Sequence, residues 1–171
     1  MKRYCVDTSG LSTPLGRMPD DIYQPVWDMV ISVLETGAVA VTQEIYEEME
    51  GSLRGVVGTF IDTNRDLMVL EIGQDTWDWP SYGPTLDALK KTHYAFISEY
   101  NSNRAGTVGL NDLSIIALAK VTRLPLVSME AESGPNATHR RKIPDVCLIE
   151  GVEHLEFNEF LRREGLSLRS K

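Results

Sequence analysis

Arg3-Tyr4-Cys5-Val6-Asp7-Thr8-Ser9-Gly10 is a short, largely apolar run that stops abruptly on an acid and three small residues. It reads as a first β-strand ending in a polar turn, with Asp7 at the strand's C-terminal tip. A second compact strand follows much later, Leu124 to Val127, and it closes on Ser128-Met129-Glu130. Between the two, the period changes. Ile22, Val26, Trp27, Val30, Ile31, Val33 and Leu34 recur at helical spacing from Asp20 to Gly37, with Pro19 and two aspartates marking the start. Ala38 to Val41 is a short β-prone piece, after which Thr42 is placed to cap a helix over Gln43 to Met49. Glu44 falls in that helix's first turn.

Short strands alternating with helices predict an α/β fold: three layers, α/β/α, around a central, mostly parallel sheet of four to five strands. The other segments fit around that frame. Gly51, Gly55 and Gly58 interrupt the pattern, while Val56, Val57, Phe60 and Ile61 suggest one further short helix. Asp66 to Ile72 reads either as a strand or as a helix end. Gln74 to Pro84, rich in Trp, Tyr and Pro, has the composition of a loop that packs on the helices or shapes a groove, and a helical period resumes over Leu86 to Tyr100. Gly109-Leu110-Asn111-Asp112 opens a helix whose Leu113, Ile115, Ile116, Ala117, Leu118 and Ala119 leave almost no polar face, so that helix must be buried. The polar stretch Ala131 to Lys142 reads as an exposed, mobile loop. A helical turn over Val146 to Ile149, an edge strand at Glu153 to Glu156 and a last helix over Asn158 to Glu164 complete the chain, and no repeat or linker divides its 171 residues into more than one domain.

Four carboxylates stand where apolar runs give way to polar residues: Asp7, Glu44, Asp112 and Glu130, separated by 37, 68 and 18 positions. Acids so far apart share a site only if strand ends and helix starts meet at one edge of a sheet, as in parallel α/β folds. Such a set suits Mg2+ or Mn2+, which prefer hard oxygen ligands and take few carboxylates each. Two alternatives stay open within it. Glu47, Glu48 and Glu50 share a helix with Glu44, and Glu132 lies two positions from Glu130. Each acid also has a simpler reading, as a solvated turn residue or a charge complementing a helix dipole.

Other chemistries lack their residues. His93, His139 and His154 have no zinc-type spacing, Ser9 and Ser128 stand in no triad context, and no Gly-rich phosphate loop is present. Cys5 and Cys147 lie in apolar runs and read as buried, reduced thiols. A net charge of −8 argues against general nucleic-acid binding. Acids that converge on divalent cations weaken that objection, because the bound charge attracts phosphate. The absence of a long apolar stretch and of a signal-peptide core before Asp7 predicts a cytoplasmic protein with no membrane contact.

These segments, taken in order, resemble the PIN-domain family of metal-dependent ribonucleases, whose bacterial members include VapC-like toxins of toxin–antitoxin pairs. Tyr4-Cys5-Val6-Asp7-Thr8-Ser9 resembles the strand that supplies that family's first acid, and Val41-Thr42-Gln43-Glu44-Ile45 the segment that supplies the second. Asn111-Asp112 ahead of its apolar helix is similar to the third. Leu126-Val127-Ser128-Met129-Glu130 resembles the fourth, with Ser and Glu where the family commonly has Thr and Asp. Lys142-Ile143-Pro144-Asp145-Val146-Cys147 is similar to an uncharacterised branch with an Ile-Pro-Asp-Val-Cys stretch. The resemblance implies an endoribonuclease using Mg2+ or Mn2+ held by Asp7, Glu44, Asp112 and Glu130, with a metal-activated water as nucleophile. It further implies an antitoxin partner and homodimerisation. Ser9 and Ser128 are then supporting hydroxyls behind the ligands. Arg140, Arg141 and Lys142 either contact RNA phosphates or form a solvated loop. Two competing expectations are a catalytically silent relative that acts through a partner, and a nuclease for structured DNA, for which a basic helical arch is missing.

Overall fold

The structure is a computed structural model and describes residues 1–102, 106–134 and 138–166. Four short strands, β1 (Tyr4–Val6), β2 (Val39–Ala40), β3 (Leu126–Val127) and β4 (His154–Leu155), form one wholly parallel sheet in the order β2-β1-β3-β4. Strand β1 pairs with β2 through Tyr4 and Val39, and with β3 through Cys5 and Leu126. Chain order therefore reverses direction between β1 and β3. In parallel α/β sheets, a crevice opens at the C-terminal strand ends where this reversal occurs, because the connecting helices leave toward opposite sides.

The strands are buried on both faces, as a sheet covered by helices requires. Successive side chains of β1 show the two layers. Tyr4 meets Phe160 edge-on, with ring centroids 5.0 Å apart, in α9 (Phe157–Arg163), and Phe157 of that helix lies 5.7 Å from Trp27 in α2 (Gln24–Glu35). Cys5 points the other way, toward Thr122 at the end of α7 (Leu110–Thr122). Helix α7 covers β1 and β3 on that face, and its residues Leu113 through Ala119 are all buried, so the expected three-layer α/β/α arrangement holds. Helices α3 (Gln43–Ser52), α4 (Gly55–Thr63), the short α5 (Arg65–Met68), α6 (Tyr82–Thr92) and α8 (Ile143–Glu150) complete the layers. Thr42 caps α3 by accepting from the Ile45 amide, as its sequence position suggests. No helix among the described residues is long and apolar enough to cross a membrane.

Two elements differ from the sequence reading. The residues after Asp7 are not a turn but α1 (Thr8–Arg17), for which Asp7 is the N-cap, extended in backbone and accepting from the Ser9 amide. Thr-Ser-Gly and an internal Pro14 are poor helix formers, and burial of Gly10, Leu11 and Pro14 overrides that propensity. The helix expected over Leu86 to Tyr100 begins earlier, at Tyr82 inside the segment read as a loop, and stops at Thr92, after which come two 3₁₀ turns, Tyr94–Phe96 and Ser98–Tyr100. The ambiguous segment after Asn64 resolves into both readings: α5, then Val69 in an isolated parallel bridge to Val41. Residues 135–137 of the polar loop lie outside the described residues.

Candidate active site

The crevice between β1 and β3 is built by unusually close backbone contact. The Asp7 amide donates to the Val127 carbonyl (2.9 Å), and a Cβ on Gly10 would stand 2.8 Å from that same oxygen. Only glycine allows α1 to start so near β3. Ser9 ties the two strand ends together: its hydroxyl donates to Asp7 Oδ2 (2.6 Å) while accepting from the Met129 amide (3.1 Å). Its own amide donates to Asp7 Oδ2 as well (2.9 Å). Asp7 is thereby held in one orientation with only 4% of its surface exposed.

Three further carboxylates share the electrostatic environment of Asp7. Asp112, in the first turn of α7, accepts from the Gly109 amide through Oδ2 (2.7 Å). Glu130, just past β3, accepts from the Ile143 amide at the start of α8 (3.0 Å). Glu48, in α3, bridges the starts of α1 and α7, accepting from Thr8 Oγ1 (3.0 Å) and from Asn111 Nδ2 (2.6 Å). Burial pushes the Asp112 carboxyl up to about 7, opposed by the Gly109 amide and reinforced by Asp7, Glu130 and Glu48. Burial likewise raises the Asp7 carboxyl, against the two Ser9 hydrogen bonds, and the charges of Glu130 and Glu48 add to the effect. Burial and mutual repulsion both favour the neutral form of such acids.

Three of the four acids singled out from sequence therefore come together, Asp7, Asp112 and Glu130. Glu44 does not join them. It stands one helical turn before Glu48, beside a separate hollow of about 350 Å3 lined by Thr42, Arg65, Trp77 and Tyr82. There it lies close enough for its charge to reinforce burial in raising the Tyr82 phenol to about 12. Glu44 and Glu48 share one stripe of α3, so helical period alone does not separate them. What selects Glu48 is its reach to Thr8 and Asn111, neighbours of Asp7 and Asp112. Between the other pair, Glu130 acts on both aspartates, whereas Glu132 is exposed and acts on His154.

Ser128 is fully buried, and its hydroxyl bonds His154 Nε2 (2.8 Å) and accepts from the Glu130 amide (3.4 Å). It shapes the turn that carries Glu130. With no exposed surface and no acid on His154 Nδ1 among the described residues, the Ser–His pair is not a nucleophilic triad. The basic cluster divides. Arg140 and Lys142 lie along Gly106, their Cδ and Cε atoms 3.4 and 3.7 Å from where a Cβ would be. Arg141 turns inward, its guanidinium 4.0 Å from the Phe96 ring centroid and bonded to His93 Nδ1 (2.8 Å). His93, fully buried, passes the chain on through Nε2 to Glu150 (2.8 Å), which also takes Lys120 (2.6 Å). Because Arg141 can only donate, Nδ1 accepts and Nε2 carries the proton. Asp145 is spent on capping α8, accepting from the Lys142 and Ser133 amides.

A larger hollow of about 850 Å3 lies at the opposite, N-terminal edge of the sheet. Several of its polar side chains are occupied with backbone: Thr36 and Thr122 donate to the carbonyls of Val33 and Leu118, and Lys2 to those of Val39 and Leu67.

The donor set at the C-terminal edge is all oxygen. Asp7, Asp112 and Glu130 each keep one carboxylate oxygen without a hydrogen-bond partner among the described residues. Among those residues no three His, Cys, Asp or Glu side chains are grouped closely enough to hold a metal ion. Mg2+ dehydrates reluctantly and takes one or two carboxylates directly, so a looser set of acids suits an ion that keeps its waters.

The fold and this crevice define a parallel α/β/α protein with a carboxylate cluster at the switch point of its sheet. Residues 4–168 match the family described as "Domain of unknown function (DUF4411)", and the chain belongs to that family. No curated protein matches it.

Proposed function

We propose that the protein is a Mg2+- or Mn2+-dependent endoribonuclease of PIN type, hydrolysing phosphodiesters of unpaired RNA with water as nucleophile. The observation that carries this reading is the meeting of Asp7, Asp112, Glu130 and Glu48 at the β1/β3 crevice, with both aspartates driven toward the neutral form. Asp7, Asp112 and Glu130 are the residues that would hold the cation, and Glu48 supports them through Thr8 and Asn111. The chemistry a divalent ion supplies there is acidification of a water and neutralisation of charge on the phosphodiester. Ser9 locks Asp7 in place. Asp112, whose carboxyl burial raises to about 7, would hold such a cation in its carboxylate form. Arg140 and Lys142 meet the flanking phosphates.

The resemblance set out from sequence supports a further step, that this nuclease is the toxin of a toxin–antitoxin pair, acts in the cytoplasm and forms homodimers. The acidic surface suits a basic antitoxin.

Incubation of the purified protein with mixed unpaired RNAs tests the reading. Cleavage should require Mg2+ or Mn2+, stop with chelator, fall by at least about a hundredfold in Asp7→Asn, the lower end of what losing a catalytic electrostatic group costs, and fall about 10- to 100-fold in the supporting Glu48→Gln. It should persist in Glu44→Gln. No metal-dependent cleavage, together with no cation binding, would leave the partner-binding alternative in its place.

A further inference from the structure

Two tyrosines on the segment that leads into α7 have no assigned task. Tyr94 and Tyr100 are 64% and 48% exposed, yet their rings pack against each other with centroids 5.1 Å apart and planes tilted by 36°. Single exposed aromatics need no explanation. A packed pair on a segment bonded to the start of α7 does. The two 3₁₀ turns that carry them are fastened from below by Ile97, which is fully buried and bridges Val108, and by the Ser98 amide on the Val108 carbonyl (2.9 Å). Asn101 clamps the turns to each other, its side-chain amide reaching the Ala95 carbonyl (3.2 Å) and its backbone amide the Ile97 carbonyl (3.1 Å). Neither phenol hydroxyl has a hydrogen-bond partner among the described residues, so the rings are not there to satisfy a local polar group.

Their position is fixed relative to the acids. Glu99, immediately before Tyr100, accepts from the Leu110 amide at the start of α7 (3.0 Å), and Asp112 lies two residues further along that helix. A Cβ on Gly109 would stand 3.4 Å from both Glu99 Oε1 and Asp112 Oδ2. On the same segment, Phe96 lies under the Arg141 guanidinium, and Arg140 and Lys142 pass along Gly106. Exposed aromatic faces and cations thus share the segments that lead into α7, whose first turn carries Asp112, and this combination binds single-stranded nucleic acid by stacking bases while cations follow the phosphates.

We infer that Tyr94 and Tyr100 form a stacking platform for unpaired RNA bases adjacent to the scissile phosphate, with Arg140 and Lys142 on its backbone. The inference rests on the nuclease reading and adds the part of the substrate it recognises. Stacking is tolerant of base identity, so the platform selects unpaired strands over duplex rather than one sequence.

The test measures fluorescence anisotropy of a labelled short unpaired RNA, and of an abasic strand of equal length, in Mg2+. The parent protein carries Asp112→Asn so that the strand stays whole. Adding Tyr94→Ala and Tyr100→Ala should weaken binding of the base-bearing RNA about tenfold or more and leave the abasic strand unchanged. Tyr94→Phe with Tyr100→Phe should restore it, since the ring face acts and not the hydroxyl. Both positions are exposed, and an unchanged melting temperature confirms folding. Equal affinity of the alanine and parent proteins for base-bearing RNA, or an equal loss for both strands, overturns the platform. If the wild type cleaves RNA and the alanines change nothing, the platform alone fails. If the wild type neither cuts nor binds RNA, both readings fail.

Discussion

Replacing Asp112 by Asn should make the metal-free protein more stable, and the gain should depend on pH. The Asp112 carboxyl rises from 3.8 to about 7 in the folded chain, a difference of roughly 3 pH units. At 1.36 kcal/mol per unit this corresponds to about 4 kcal/mol of folding free energy as an upper bound, since partial exposure and the coupled acids lower it. The sign follows from which state holds the proton. A carboxyl whose folded value lies above its unfolded value adds stability in full below about 4, and that contribution is lost as pH rises through about 7. Above 7 the folded chain must carry an ionised, buried Asp112 facing Asp7, Glu130 and Glu48. Asn keeps an oxygen for the Gly109 amide and carries no charge. Melts in EDTA at pH 8 should therefore show Asp112→Asn higher than wild type by about 5 °C or more, at roughly 2–4 °C per kcal/mol for a chain of this size. The gap should fall to less than about half at pH 5, where the folded wild type is already protonated. Mg2+ or Mn2+ should then raise the wild type and leave the variant nearly unmoved. A variant that melts at or below wild type at pH 8 in EDTA would refute the reasoning that Asp112 is a strained member of an acid cluster.

Two perturbations of the crevice wall follow from the same geometry. Gly10→Ala would place a Cβ 2.8 Å from the Val127 carbonyl oxygen, a backbone atom that cannot step aside, so chemical denaturation should show a loss of about 1–3 kcal/mol. Unchanged stability would show that α1 can move off β3. Ser9→Ala removes the hydroxyl from Asp7 and leaves the Met129 amide unpaired, which should cost about 1–3 kcal/mol and weaken cation binding about 10- to 100-fold, read by titration calorimetry with Mn2+.

Much of this was legible from sequence because the residues concerned obey one local rule each. Tyr4-Cys5-Val6 can be read as a strand and Leu113 to Ala119 as a buried helix because apolar runs of those lengths have few other solutions in water. Asp7, Asp112 and Glu130 can be read as a set because each closes or opens such a run, and a parallel sheet delivers those points to one edge. The parts that were not legible are decided by tertiary contact. Helix α1 forms from residues with little helical preference, because Leu11 and Pro14 are buried and Asp7 caps it. Helix α6 ends at Thr92 because its successor, His93, is drawn inward between Arg141 and Glu150, partners 48 and 57 positions away.

The choice between Glu44 and Glu48 shows where periodicity loses its power. Both acids are exposed, four positions apart, on a stripe flanked by the buried Ile45, Tyr46 and Met49, so amphipathic phase gives them equal standing. Only contacts across the fold break the tie. Glu48 lies opposite Thr8 and Asn111, each adjacent in sequence to an acid of the cluster, while Glu44 faces the phenol of Tyr82. A charged residue on a helix becomes part of a site through what the neighbouring elements bring to it. Here those elements are the first residues of α1 and α7, whose positions are set by the close approach of Gly10 to β3 and by the burial of Leu113 to Ala119. The identity of the fourth carboxylate is thus a property of the packing of α1, α3 and α7, and substitution of Glu44 and Glu48 in turn separates the acid that serves the crevice from the one that lines the neighbouring hollow.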